Sequence, residues 1–209
     1  ARTITASERR VLGVTGKKES GGKGGGRSGL SGGQRQLRVS VKTARRRSAS
    51  SARWLDRQLN DPYVTAAKRE GLRSRAAFKL REMDAQYNFL KPGQRVIDLG
   101  AAPGGWSQVA GRKVGPRGRV VAIDLLQTAP ISGVVVLRGD VREPQARAAA
   151  RKALGGAVDV VLSDLSPNLS EIPAVDQARA AEVAQVALEQ ACGFLKRSGT
   201  LLVKVFQGG

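Results

Sequence analysis

Val96-Ile97-Asp98-Leu99-Gly100-Ala101-Ala102-Pro103-Gly104-Gly105-Trp106 decides the fold. A short apolar run enters a turn with three glycines, and a helix-compatible stretch follows. Glycine serves where the backbone must turn tightly and let a ligand approach without a Cβ in the way. The spacing is not the dinucleotide G-x-G-x-x-G, and no Walker Gly-Lys-Ser/Thr follows, so a pyrophosphate grip is disfavoured.

Outward from this turn, further apolar runs occupy Arg119 to Asp124, Val134 to Arg138, Val158 to Leu162 and Thr200 to Phe206. Segments of helical composition, such as 143–154 and 174–195, separate them. Short apolar strands alternating with helices predict an α/β fold: a doubly wound, mainly parallel sheet covered on both faces. The clearest helix is 174–195, where Val175, Ala178, Val183, Val186, Leu188 and Ala191 make a broad apolar face. Before the first strand, Trp54, Leu55, Leu59, Tyr63 and Ala67 approximate a helical stripe interrupted at Asp61-Pro62. A second helix, basic on its polar side, runs from Arg73 to about Tyr87.

Asp98, Asp124 and Asp140 fall at successive strand ends. Each alone reads equally well as a cap or turn residue. Together with the glycine turn they predict a ligand site outside the C-terminal strand ends, where open α/β sheets bind. Asp124 is placed to accept hydrogen bonds from a ribose diol, and Asp140 to approach an adenine.

The chain of 209 residues carries 36 Lys and Arg against 17 Asp and Glu, a net charge of +19. The excess lies on both sides of Arg53, which points to a polyanionic partner, nucleic acid before membrane. Residues 1–52 are rich in Gly, Ser and Arg, with Arg45-Arg46-Arg47 their most basic point, and are expected to form a disordered tail. The domain proper is expected over 53–209. No stretch approaches a membrane span or a signal segment. Histidine is absent, which excludes imidazole bases and most catalytic zinc sites; no metal is expected. The single cysteine, Cys192, lies in an apolar periodic segment and reads as a packing residue.

The run Asp98 to Gln108 resembles the S-adenosylmethionine site of class I methyltransferases, and more narrowly that of the FtsJ-type heat-shock ribosomal RNA methyltransferases. Three further stretches resemble that family: Gly71-Leu72-Arg73-Ser74-Arg75-Ala76-Ala77-Phe78-Lys79-Leu80, Ser163-Asp164-Leu165-Ser166-Pro167-Asn168 and Val203-Lys204-Val205-Phe206-Gln207-Gly208. The resemblance runs from about Ser48 to Gly209. Ser166 stands where the family usually has Ala, and Glu171 where it usually has Gly.

The resemblance implies a Rossmann-like methyltransferase domain, with S-adenosylmethionine held by Gly100, Gly104, Trp106, Asp98, Asp124, Asp140 and Asp164. It implies methylation of a ribose 2′-hydroxyl of large-subunit ribosomal RNA, a uridine of the peptidyl-transferase region, by a cytoplasmic monomer during ribosome assembly. The catalytic set carried over is Lys79, Asp164 and Lys204; the family's glutamate falls beyond Gly209. Lys204 interrupts an apolar run near a strand end, so its amine can reach over a cofactor pocket and take the hydroxyl proton. For RNA, Arg69, Arg73, Arg75 and Arg81 offer phosphate contacts, while Trp106 suits packing at least as well as base stacking. The alternatives are a transfer-RNA or cap ribose methyltransferase, or a non-catalytic RNA-binding assembly factor. The family's last two strands find no counterpart here, so the chain is expected to be truncated, with Thr200 to Phe206 left as an open apolar edge.

Overall fold

The computed structural model describes residues 3–6, 9–16, 61–166, 170 and 173–206. The strands are β1 (Thr3–Ala6), β2 (Arg9–Gly16), β3 (Arg95–Leu99), β4 (Arg119–Asp124), β5 (Val134–Arg138), β6 (Val158–Ser163) and β7 (Leu195–Phe206). The helices are α1 (Pro62–Arg69), α2 (Ala76–Tyr87), α3 (Gly105–Val114), α4 (Pro144–Leu154) and α5 (Pro173–Phe194).

The strands form one sheet in the order β1-β2-β7-β6-β3-β4-β5. All neighbours pair in parallel except β1, which runs antiparallel to β2 at the edge. From β3 the chain winds outward through β4 and β5, then returns to β6 on the other side. The order therefore reverses between β3 and β6, which opens a crevice at their C-terminal ends.

Continuous apolar runs make central strands because both faces are covered. Val96, Val120, Val160 and Leu162 face one way, against Leu80, Met83, Trp106 and Val109 of α2 and α3. Ile97, Val121 and Val161 face the other, against Ala150 and Leu154 of α4 and Ala191 and Phe194 of α5. The register pairs Val96 with Val120 and Val160, so the two-residue alternation is in phase across the sheet. A buried acid locks the first layer: Asp84 accepts from the Leu90 N–H at 2.8 Å and pairs with Lys113 at 2.7 Å. With both oxygens engaged, its burial carries no unsatisfied charge.

Three expectations are corrected here. Residues 1–52 are not all tail: Thr3–Ala6 and Arg9–Gly16 are strands, and Leu12, 1% exposed, lies in the same core cluster as Leu162 and Leu202. Composition averaged over the Gly- and Arg-rich segment hides the short β-branched and apolar runs at its start. For the same reason the outer edge of Thr200–Phe206 is not open, because Arg10 to Gly16 pairs along it in parallel. Finally, α5 buries less than its periodicity suggests: Ala187, Ala191 and Phe194 are buried, whereas Val175, Leu188 and Cys192 are exposed. Its neighbours cover only part of the broad apolar stripe. The expected helix around Trp54, Leu55 and Leu59, the Arg45-Arg46-Arg47 run, Pro167, Asn168, Glu171, Gln207 and Gly208 lie outside the described residues.

Candidate cofactor and catalytic site

The turn after β3 is tied to β4 by the Gly100 and Ala101 N–H groups, which donate to the Ile123 carbonyl at 3.0 and 3.2 Å. Gly100 has φ +72°, and a Cβ there would stand 2.6 Å from the Leu165 side chain. Its lack of a side chain lets the β3 and β6 ends close on one another. Gly104, at φ +101°, caps α3 and has the side chains of Ile131 and Arg73 against it; a Cβ would meet the Ile131 tip at 2.5 Å. Gly104 thus makes room for protein packing, and Gly100 borders the crevice.

Asp98 lies beneath this turn, fully buried. Its Oδ2 accepts from the Ser107 hydroxyl at 2.5 Å, stapling the end of β3 to the first turn of α3, while Oδ1 is buried with no hydrogen-bond partner. Burial pushes the carboxyl up to about 7, opposed by the Ser107 hydrogen bond and reinforced by the charges of Asp164 and Asp124.

A cavity of about 470 Å³ opens at the strand ends, lined by residues that include Gly100, Asp124, Asp140, Arg142, Leu165 and Val183. This is the size of a pocket for a small molecule or cofactor. At the end of β4, Asp124 Oδ2 accepts from the Ala102 N–H and Oδ1 from the Leu126 N–H, both at 2.8 Å. Those two bonds fix the carboxylate and leave further lone pairs for a diol. Asp140 is gripped by Arg142 through Nε, at 3.0 and 2.9 Å, and through Nη2. That hydrogen-bonded guanidinium holds its carboxyl below the usual carboxylate range.

Asp164, just past β6, is joined to Lys204 on β7 by an Nζ–Oδ1 contact of 2.6 Å, with the side chains 21% and 26% exposed. The Asp164 N–H donates to the Leu99 carbonyl at 3.3 Å, tying the pair to the β3 end. Adjacent Leu165 and Ser166 line the cavity, so a half-buried amine and carboxylate stand together beside it.

Not every predicted residue joins this group. Lys79 on α2 is half exposed and contacts Glu82 of its own helix at 3.4 Å. Trp106 is 3% exposed and donates its indole N–H to the Ala76 carbonyl at 2.8 Å, so its ring packs in the core between α2 and α3. Arg73 does not face solvent phosphate. Its guanidinium donates to the carbonyls of Pro103, Ala129 and Pro130, and its N–H donates to Gln108 Oε1 at 3.0 Å. It clamps the glycine turn to the loop after β4. Arg75 pairs with Asp61 and Arg81 with Glu70, both on the surface.

Leu125, Arg142, Leu165, Arg179, Val183 and Val186 also line the cavity, and none of them was predicted as a site residue. Val183 and Val186, three residues apart, carry the helical signal of one face. That this face meets a cavity is a matter of packing.

A family model described as FtsJ-like methyltransferase matches residues 72–209. Among curated relatives, the ribosomal RNA large subunit methyltransferase E of Paramagnetospirillum magneticum is 51% identical over 201 residues, covering 94% of this chain and 82% of that protein. The protein of the same name from Sphingopyxis alaskensis is 52% identical, covering 91% of this chain and 79% of that one. Among solved structures, a ribosomal RNA methyltransferase from Plasmodium falciparum aligns with a TM-score of 0.60 and 26% identity, over 66% of this chain and 80% of that chain.

Proposed function

The chain belongs to the FtsJ-like methyltransferase family, and we propose that it transfers the methyl group of S-adenosylmethionine to a ribose 2′-hydroxyl of large-subunit ribosomal RNA. The observation that carries the reaction type is the 2.6 Å Lys204–Asp164 pair at adjacent strand ends beside the cavity.

The residues present fit such a cofactor. The cavity is large enough, Asp124 offers fixed acceptors to a ribose diol, and Asp140 lies further along the strand ends for an adenine. S-adenosylmethionine supplies an electrophilic methyl on a positively charged sulfur.

The chain's own part is alignment and proton removal. In its amine form Lys204 would accept the 2′-hydroxyl proton as the oxygen takes the methyl carbon from the departing sulfur, which leaves as a neutral thioether. Asp164 fixes the amine by hydrogen bonding and balances the ammonium that results. Holding the hydroxyl in line supplies much of such a rate enhancement. Lys79 is the proposed second lysine. An exposed pair with Glu82 costs little to exchange, so its side chain is available to a bound ribose. Gly104 and Trp106 act from beneath, through the shape of the turn. The reading includes a monomeric protein acting where ribosomes assemble, in the cytoplasm.

Transfer of labelled methyl to large-subunit RNA tests the reaction. Label should be stable to alkali and should vanish when the target nucleotide is 2′-deoxy. Label retained on 2′-deoxy RNA would place the methyl on a base and overturn the reading.

A further inference from the structure

We infer that Tyr63 and Phe78 form a stacking platform for an unpaired base of the RNA substrate, an inference that rests on the RNA reading above. Tyr63, in the first turn of α1, is 54% exposed. Its ring stands 5.7 Å from that of half-buried Phe78, in the first turn of α2, at an interplanar angle of 59°. The Arg81 guanidinium carbon lies 5.6 Å from the Phe78 centroid.

A single exposed tyrosine is ordinary. Here the exposure belongs to a composite: two rings and a guanidinium in a segment, 61–81, that also carries the exposed cations Lys68, Arg69, Arg75 and Lys79. The geometry is set locally, since Asp61 caps α1 by accepting from the Tyr63 N–H at 2.8 Å and also pairs with Arg75 at the start of α2. Phe78 is anchored through its helix by the Trp106 indole bond to Ala76, and the segment before it by the Gln108 bonds to Gly71 and Arg73. These bonds dock the starts of α2 and α3 together.

Rings beside cations match a single strand better than a duplex. An unpaired base offers a π-face to stack on while its phosphates meet the Lys and Arg groups. In a helix that face is already stacked. The carboxylates of Glu82 and Glu70 hold Lys79 and Arg81 in exposed pairs, which phosphates can displace at little cost.

The test compares Tyr63→Leu, which keeps apolar bulk without a ring, with Tyr63→Phe. Both are titrated with a single-stranded RNA oligonucleotide carrying 2-aminopurine and with a matched duplex. Circular dichroism melting checks each fold. Tyr63→Leu should weaken single-strand binding about tenfold and lose the fluorescence quenching of a stacked base. Tyr63→Phe should bind as the parent does, and duplex and S-adenosylmethionine affinities should be unchanged. Equal single-strand affinity in all three proteins, or an equal loss on single strand and duplex, would overturn the platform. Ring-dependent binding without methyl transfer to any RNA would leave the platform standing and remove the methylation reading instead.

Discussion

Asp98→Asn should change the pH dependence of stability more than stability itself. The carboxyl is raised from 3.8 unfolded to about 7 folded because it is wholly buried beneath the glycine turn. The folded state therefore holds a proton that the unfolded chain has released between those values. The stabilising contribution of the protonated acid is complete below about 3.8 and is lost as pH rises through 7. At about 1.4 kcal/mol per pH unit, the loss across the window is on the order of 4 kcal/mol. Asparagine keeps an acceptor for the Ser107 hydroxyl but sets an amide donor where Oδ1 has no partner, costing about 1–3 kcal/mol at acid pH. Urea unfolding of both proteins from pH 4.5 to 8.5 gives the two profiles. The parent should lose stability towards neutral pH relative to the variant, so that the variant gains on the parent by about 3 kcal/mol between pH 5 and pH 8. Parallel profiles would refute the burial argument, because they would mean that Asp98 is ionised throughout.

Lys204→Ala should lower methyl transfer by at least about a hundredfold while S-adenosylmethionine affinity stays within a few-fold, as calorimetry and single-turnover labelling would show. Arg73→Ala should weaken S-adenosylmethionine binding through a loosened glycine turn yet leave the salt slope of RNA binding unaltered. A slope lower by about 0.7–0.9 would return Arg73 to phosphate contact. Leu12→Ala should destabilise the protein by about 2–5 kcal/mol in denaturant, as for a packed core leucine, whereas a change under about 0.5 kcal/mol would place the segment outside the core.

The central layer could be read from the chain because its causes are local. Val96 to Leu99 and Arg119 to Asp124 are apolar without interruption, and a run that short and that apolar is stable only as a strand covered on both sides. The turn at Gly100 announces itself through residue type, since φ +72° with Leu165 so close excludes a side chain. The pairing of Asp164 with Lys204 followed from resemblance alone, as two residues 40 positions apart carry no local sign of contact.

What tertiary structure decided depends on where side chains go once the layers close. Arg73 reads as one basic residue among several, and only the nearness of three carbonyls turns it into a clamp. Trp106 follows the glycines, yet its indole finds Ala76 because α2 docks on α3. The start of the basic segment shows the same limit most clearly. Val11 and Leu12 are too short a run to outweigh the glycines and arginines after them. Strand pairing is a contract between distant segments, and the partner, Leu201-Leu202, lies at the other end of the chain. Local composition sets which backbone shapes are cheap; which surfaces meet is settled only by the burial that the whole fold makes available.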